Sequence, residues 1–211
     1  LPAGSGRGAA FDAAVNALAD AAFENRSLLV PCSRLEFIEE LERLCAAAHF
    51  CRTDTFALRG ASDIRGAVSL GEAVLKIPRF ETFLQSSPFF DDVGISRIKW
   101  MPDPLLPYLA ARWLARRIGT GTISADEAFD LFCWPSFHGP VVPSALEVVA
   151  GWLACMNRQF CRLLMEVAPH AVLLYADLAL VSVPDARKAV SGTLQALEAG
   201  RPLLYRSVRL T

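Results

Sequence analysis

The amino-acid sequence predicts an α/β fold of the α+β kind, because two kinds of segment share the chain. In the longer segments, apolar residues recur every three or four positions, as they do on the buried face of a helix. In the shorter segments, β-branched and aromatic residues stand between glycines and prolines, which is typical of strands. With 211 residues, the chain has the length for one good core or two small cores that share an interface.

Helices and short strands are both expected in residues 1–100. The alanine-rich segment 11–23 repeats apolar residues at helical spacing and predicts the first helix. Ser33 and Glu36 have the spacing of a capping box, which begins a second helix that runs to about residue 50. A short helix is expected at 81–85. Strands are expected at 27–31, 55–58, 73–77 and 95–100.

Residues 101–211 are expected to be mainly helical around one pair of strands. The unbroken apolar run 171–183 predicts two buried strands with Asp177 between them. Residues 202–210 alternate as a further strand. The domain organisation expected from these patterns is therefore two regions, 1–100 and 101–211. Helices are predicted at 105–118, 125–133, 144–169 and 185–199.

The chain is more apolar than most free-standing domains: 53% of its residues are hydrophobic and its mean hydropathy is +0.33. We expect part of this apolar surface to contact a partner or the rest of a longer polypeptide. The sequence lacks the roughly 18 unbroken apolar residues that a membrane helix needs, so no membrane contact is expected. Residues 1–6 have neither a start methionine nor a signal pattern, and they predict a fragment.

Net charge and cysteine content limit which partners and which cellular compartment are expected. A net charge of -1 gives no general attraction to nucleic-acid phosphates, so any DNA contact is expected to be weak. Arg112, Arg116 and Arg117 form a local basic face, which is either the solvated side of a helix or a partner-binding surface. The six cysteines lie mostly in apolar segments of a chain without a signal pattern, which favours a reducing intracellular compartment.

Asp177 is the most informative candidate for chemistry. A carboxylate within an apolar strand pair is costly to bury unless it is paired, binds a metal or lies at a turn. One interpretation is the metal-binding carboxylate of a nucleotidyltransferase palm, and the other is a turn aspartate that bonds its own backbone. Two-metal catalysis needs at least two converging carboxylates, and Ala179 stands two positions further on. A palm here would therefore be inactive.

Other candidate chemistry has weaker support in the sequence. There is no C-x-x-C pair, and Cys133 with His138 lacks two further ligands at usable spacing. No cysteine lies in a recognisable nucleophile turn. Trp134 beside Phe132 and Phe137 has the composition of a base-stacking platform, but core packing is favoured. We expect neither a metal nor a cofactor.

Five segments of the chain together carry a family resemblance. They are segment 28–41, the helix with Trp113 leading to Phe129, Phe132 and Trp134, the helix start 143–146, the helix 156–164 and the run 172–177. The last four resemble the inactive C-terminal half of the catalytic subunit of DNA polymerase epsilon, a B-family DNA polymerase. In active relatives, one motif reads Tyr-Gly-Asp-Thr-Asp, and Tyr175, Ala176 and Asp177 would be its vestige. Segment 28–41 is similar to part of the family's degenerate exonuclease-like module.

The resemblance implies a degenerate polymerase-like fragment without catalytic activity. Residues 1–100 would be a small exonuclease-like α/β part, and residues 101–211 would hold a palm-like antiparallel sheet with packed helices. The implied function is a nuclear replication scaffold that anchors the polymerase to the helicase and to accessory subunits. Arg112, Arg116 and Arg117 are the expected partner-binding residues.

Two other functions fit the same residues. Segment 174–182 is also similar to the Tyr-Ala-Asp-Asp-Leu-Ala-Leu motif of reverse transcriptases with one aspartate missing, which implies an inactive palm of that kind. A pathogen effector or a small cysteine-dependent enzyme, unrelated to polymerases, is the third possibility.

Overall fold

The computed structural model describes residues 6–24, 32–61, 65–73, 80–94, 96–137 and 139–199. The chain divides into two compact units, which we call the sheet unit (9–113) and the helical unit (1–8 with 114–211). Helix α1 (Arg7–Glu24) and a later helix, Leu105–Gly119, each contain one boundary between the units. The sequence led us to expect the division near residue 100.

The sheet unit contains a four-stranded mixed sheet. Its strands are β1 (Thr55–Ala57), β2 (Val68–Ser69), β3 (Phe90–Gly94) and β4 (Arg97–Trp100). Their order is β2, β1, β4, β3, with β1 and β2 parallel and the other two pairings antiparallel. The register of β3 against β4 shifts between Asp92 and Gly94. Glycine suits this bulge because its φ is 127°, a conformation that side chains with a Cβ rarely adopt.

The core of the sheet unit is rich in phenylalanine. Three further helices belong to this unit. These are α2 (Arg34–Phe50), α3 (Leu70–Ala73) and α4 (Phe80–Gln85). Phe37 of α2 is fully buried, and its ring makes edge contacts with those of Phe23, Phe83 and Phe89. Edge-to-face pairs of this kind stabilise a core beyond the area that they bury.

A partly buried ion network joins three helices of the sheet unit. Arg112 lies on α5 (Leu105–Gly119), where its Nε is 3.0 Å from Glu42 Oε1 of α2 and its Nη1 is 2.8 Å from Asp12 Oδ1 of α1. The Tyr108 hydroxyl donates to the same Asp12 oxygen at 2.7 Å. The Glu42 side chain has no exposed surface, so an opposing cation is needed to offset its loss of hydration.

Helices make up most of the described part of the helical unit beyond α5. They are α6 (Ala125–Asp130), α7 (Ser144–Met156), α8 (Arg158–Val167), α9 (Pro169–Tyr175) and α10 (Val183–Glu198). Helix α7 packs on α8 and α9, and α10 packs on α9 and α8. Gly151 sets the spacing of α7 and α9, because a Cβ there would lie 2.5 Å from Tyr175 Cβ.

The mixed helix and sheet class is confirmed, as are many of its elements. Helix α2 begins with the expected capping box, in which the Ser33 hydroxyl accepts from the Glu36 N–H and Glu36 accepts from the Ser33 N–H. Strands β1 and β4 confirm those expected at 55–58 and 95–100. The strands expected at 27–31 and 202–210, and residues 74–77 of the strand expected at 73–77, lie outside the described residues.

The prediction of one helix over 144–169 is wrong, because the helix is interrupted at Asn157. This residue has extended backbone, with φ −138° and ψ 115°, so the helix of Ser144–Met156 ends there. The Asn157 side chain then accepts from the Phe160 N–H at 2.9 Å and caps the next helix. Asparagine is a favoured N-cap residue, so the same side chain stabilises the new helix after the break.

The prediction of a strand pair over 171–183 is also wrong. Pro169 lies in the first turn of a helix that runs to Tyr175, and Ala176 and Asp177 follow in a turn. Proline is well suited to that first turn because the N–H it lacks has no partner there. The palm-like antiparallel sheet expected in 101–211 is therefore not formed by the described residues of that range, where β pairing is limited to the bridge between Trp134 and Val141.

Candidate functional site

Asp177 lies buried in the turn after α9, where both of its carboxylate oxygens accept backbone hydrogen bonds. Oδ1 accepts from the Ala179 N–H at 3.1 Å, and Oδ2 accepts from the Gly8 N–H at 2.6 Å. The first bond confirms the interpretation of a turn aspartate that bonds its own backbone. The second is a capping contact, because Gly8 lies in the first turn of α1, where N–H groups have no partner within the helix.

Glycine and arginine at the start of α1 fit this capping contact closely. A Cβ at Gly6 would collide with Asp177 Oδ2, and a Cβ at Gly8 would lie 3.2 Å from the same oxygen. The guanidinium of Arg7 donates to the carbonyls of Tyr175 and Ala176, the latter at 3.1 Å. The start of α1 and the end of α9 therefore satisfy each other's free backbone groups. We call this set, with Trp152 and Cys155 of α7, the Asp177 cluster.

Trp152 and Cys155 complete the cluster from α7. The Arg7 guanidinium lies 4.7 Å from the centre of the Trp152 ring, within the range of a cation–π contact. Burial raises the pKa of the Cys155 thiol. A hydrogen bond to the Asp177 backbone lowers this pKa, whereas the charge of the Asp177 carboxylate raises it, and the net effect is a raised pKa. Thiolate, the reactive form, is therefore scarce at neutral pH. The arrangement stabilises packing and disfavours cysteine nucleophilicity.

Tyr175, Ala176 and Asp177, which the resemblance made the vestige of a catalytic motif, thus form the end of a helix and its turn. Among the described residues, no group of three or more His, Cys, Asp or Glu side chains has the arrangement of a metal site. His138 of the Cys133 pair lies outside the described residues.

A histidine–glutamate pair joins α7 and α9 beside the cluster. His170 Nε2 is 3.0 Å from Oε1 of Glu147, and Glu147 is buried. Burial raises the pKa of Tyr175, and the Glu147 charge adds to that effect. Sequence reasoning did not single out this pair, since 23 residues separate its members and only the packing of α9 on α7 brings them together.

The three arginines expected to bind a partner lie on α5 in two settings. Arg112 is held by Glu42 and Asp12 in the partly buried ion network. Arg116 and Arg117 are partly buried in the last turn, where positive charge is favourable near the helix C-terminus. The structure thus gives Arg112 a folding role, and partner binding by the three residues stays a prediction.

Trp134 and Phe137 differ from the expectation of core packing, whereas Phe132 agrees with it. Phe132 is fully buried and meets Phe160 edge-on. Trp134 is half-exposed at the bridge to Val141, and Phe137 is fully exposed in the loop beyond it.

The largest concentration of exposed apolar side chains lies at the end of the described chain. More than half of the large hydrophobic residues that are exposed in the described residues fall between Leu174 and Leu197. Four of them form one line along α10, which we call the α10 seam. Its members are Val183, Val190, Leu194 and Leu197, which are 45–66% exposed.

Helical geometry places the seam residues on one face. At 3.6 residues per turn they fall within about 60° of one another over a length of about 21 Å. Ala189, about 110° around the helix from the centre of the seam, is fully buried. The spacing could be read from the sequence, but not which face of the helix the fold would cover, so sequence reasoning missed the seam.

No protein-family model, curated protein or solved structure matches this chain. The resemblance to B-family polymerases therefore rests on the sequence segments alone. Among the described residues, no helix is both long enough and apolar enough to cross a bilayer.

Proposed function

We propose that this chain is a non-catalytic module that holds a partner protein through the α10 seam. The observation that carries the proposal is the line of Val183, Val190, Leu194 and Leu197, exposed along one face of a helix whose other face is packed. Exposed apolar surface is costly in water, and its concentration on one face is typical of a protein-binding surface.

The hydrogen bonds of Asp177 support a structural role for this residue, which was the strongest candidate for catalysis. Both carboxylate oxygens are engaged by backbone N–H groups, and the residue is only 5% exposed. A carboxylate held in this way stabilises the start of α1 and the turn after α9. The raised pKa of the Cys155 thiol likewise disfavours a cysteine nucleophile at this cluster.

The seam offers a modest but useful binding energy. Full burial of a valine or leucine side chain stabilises by about 1.5–3 kcal/mol, so a half-exposed residue contributes about 1 kcal/mol when it is covered. Four such residues contribute about 4 kcal/mol before the costs of association. Each seam residue should therefore change the dissociation constant about fivefold when its side chain is removed.

The proposal is tested by selecting binders to the full chain from a displayed library of protein fragments. The selected fragments are then measured against Leu194→Asp and the matched control Gln195→Asp, which adds the same charge one position away and off the seam. We expect Leu194→Asp to weaken binding at least about tenfold and Gln195→Asp to leave it unchanged. Binders that treat the two variants alike would refute the seam as the binding site.

The finer form of the proposal names a replication assembly as the partner. It comes from the polymerase-like segments, of which the helix start 143–146 and the helix containing Trp113 are formed in helical structure, whereas 172–177 is not the strand that the resemblance requires. Helicase and polymerase accessory subunits in the nucleus would be the partners. The inactive reverse-transcriptase alternative depends on the same missing strand.

Purified helicase and accessory subunits provide the direct test of that finer form. Binding should be lost on Leu194→Asp, or on loss of the charges of Arg116 and Arg117, and intact binding after these changes would count against it. Primer extension with magnesium or manganese should give no product. Metal-dependent extension that Asp177→Ala abolishes would overturn the non-catalytic proposal, and so would a hydrolytic or transfer activity that cysteine alkylation abolishes.

A further inference from the structure

We infer that the α10 seam docks a second copy of this chain as an antiparallel helix pair. The inference rests on the proposed function, because it names the partner that the seam holds. Its starting point is spacing: Val190, Leu194 and Leu197 are separated by four and three residues, as in the repeating core positions of a coiled coil. Side chains at this spacing fit between those of another helix, so the geometry selects a helix as the occupant.

Charge along α10 selects the direction of the second helix. Arg187 stands in the seam between Val183 and Val190, and Lys188 follows it, so the first half of the exposed surface is basic. Glu198, also exposed, supplies negative charge at the other end. A parallel pair in register would set Arg187 against the same residue of the second copy. An antiparallel pair sets the basic half of each helix against the acidic end of the other.

The antiparallel register follows from matching core positions. When Val190 faces Leu194 of the second copy, the two-fold axis also places Leu194 opposite Val190 and Arg187 opposite Leu197. Glu198, which follows Leu197, then lies beside Arg187 of the second copy. The aliphatic stem of the arginine covers the leucine while its guanidinium reaches the carboxylate. The pair is self-complementary, as a two-fold interface requires.

The size of the surface sets the expected strength. A helix pair of this length buries less than the roughly 1,200 Å² of a standard stable interface, so a weak, concentration-dependent dimer is expected. Sedimentation velocity of the full chain from about 5 to about 500 µM covers that range. The sedimentation coefficient should rise with concentration in the wild type and in Gln195→Asp. Leu194→Asp should weaken association at least about tenfold, since it buries a charge at the centre of the pair.

A charge exchange tests the register itself. Arg187→Glu alone and Glu198→Lys alone each replace two attractive contacts by repulsive ones, and each should weaken the dimer about tenfold. The double variant exchanges the two charges and should restore the wild-type dissociation constant to within about threefold. Arg187 and Glu198 are both exposed, so each variant should keep its helix content, which circular dichroism measures.

Three results would overturn the inference. They are a chain that stays monomeric throughout the concentration range, a dimer that Leu194→Asp leaves intact, and a double charge variant that fails to recover association. None of these decides the proposed function, because binders from the fragment library can still distinguish Leu194→Asp from Gln195→Asp. An acidic helix of another protein would then be the occupant. Loss of both signals would refute the seam as a binding surface altogether.

Discussion

Replacing Gly151 by alanine should destabilise the helical unit, because α7 and α9 pack without room for a methyl group. A Cβ at this position would lie 2.5 Å from Tyr175 Cβ, 2.8 Å from the Ala171 carbonyl oxygen and 3.0 Å from the Ala176 nitrogen. None of the three atoms belongs to the free end of a flexible side chain. Relief to an ordinary contact of about 3.5–4.0 Å requires a shift of about 1 Å between the two helices.

The magnitude follows from two opposing effects. Inserting a methyl group into a packed core costs about 1–3 kcal/mol, and can cost more when backbone atoms must move. Alanine favours a helix over glycine by about 1 kcal/mol. Because three close contacts are made at once, two of them with backbone atoms, we expect a net loss of about 2 kcal/mol in the free energy of unfolding. For a chain of this length, that loss lowers Tm by about 4–8 °C.

Denaturant and thermal unfolding, followed by circular dichroism and tryptophan fluorescence, measure this loss. Gly119→Ala is the matched control, because a Cβ there meets no atom within 4 Å. The control should change the free energy of unfolding by less than about 0.5 kcal/mol. A Gly151→Ala protein as stable as the wild type would show that the approach of α7 to α9 does not require glycine.

Three further predictions concern buried charge and thiol groups. Asp177→Ala should destabilise the chain by about 1–3 kcal/mol, because the Gly8 N–H loses its acceptor, and Asp177→Asn, which keeps one carbonyl oxygen, should cost less in the same unfolding assay. Arg112→Ala should lower the free energy of unfolding by about 3–5 kcal/mol, since it removes the cation opposite the fully buried Glu42, and a stable variant would contradict the folding role of this arginine. Burial raises the pKa of Cys161 to about 11 from 9.0, so its contribution to stability is present below pH 9 and declines as the pH rises through 11. Alkylation of Cys161 in the folded chain, followed by mass spectrometry, should be slow at pH 7.5, and rapid labelling would contradict this burial.

Local signals in the sequence were sufficient for much of the fold. Ser33 with Glu36 and Ser124 with Glu127 both form capping boxes, because each depends only on residues three positions apart. Helical spacing located α5 and α10 for the same reason. The break at Asn157 was missed because apolar spacing continues across it, and a capping side chain is a weaker signal than a long apolar face.

The run 171–183 could not be assigned by its pattern, because a short buried helix and a buried strand both give an unbroken apolar sequence. Its packing decides the outcome: Ala171 and Val172 are fully buried in the helical unit, and Gly151 lets α7 approach them. Pro169, which fixes the first turn, was the one local signal for a helix.

The helical start of this run also changes what Asp177 means. In a strand pair, its carboxylate would project from a hairpin tip toward bound ions, and the missing second acid at Ala179 would make that site inactive. After a helix, the same carboxylate accepts from the Ala179 N–H and from the Gly8 N–H, so alanine at position 179 removes nothing that the site needs. A lone buried aspartate therefore does not require that an ancestral catalytic pair was lost. Its charge is stabilised by the N-terminus of α1, where Gly8, 169 residues earlier in the chain, donates its N–H to the carboxylate.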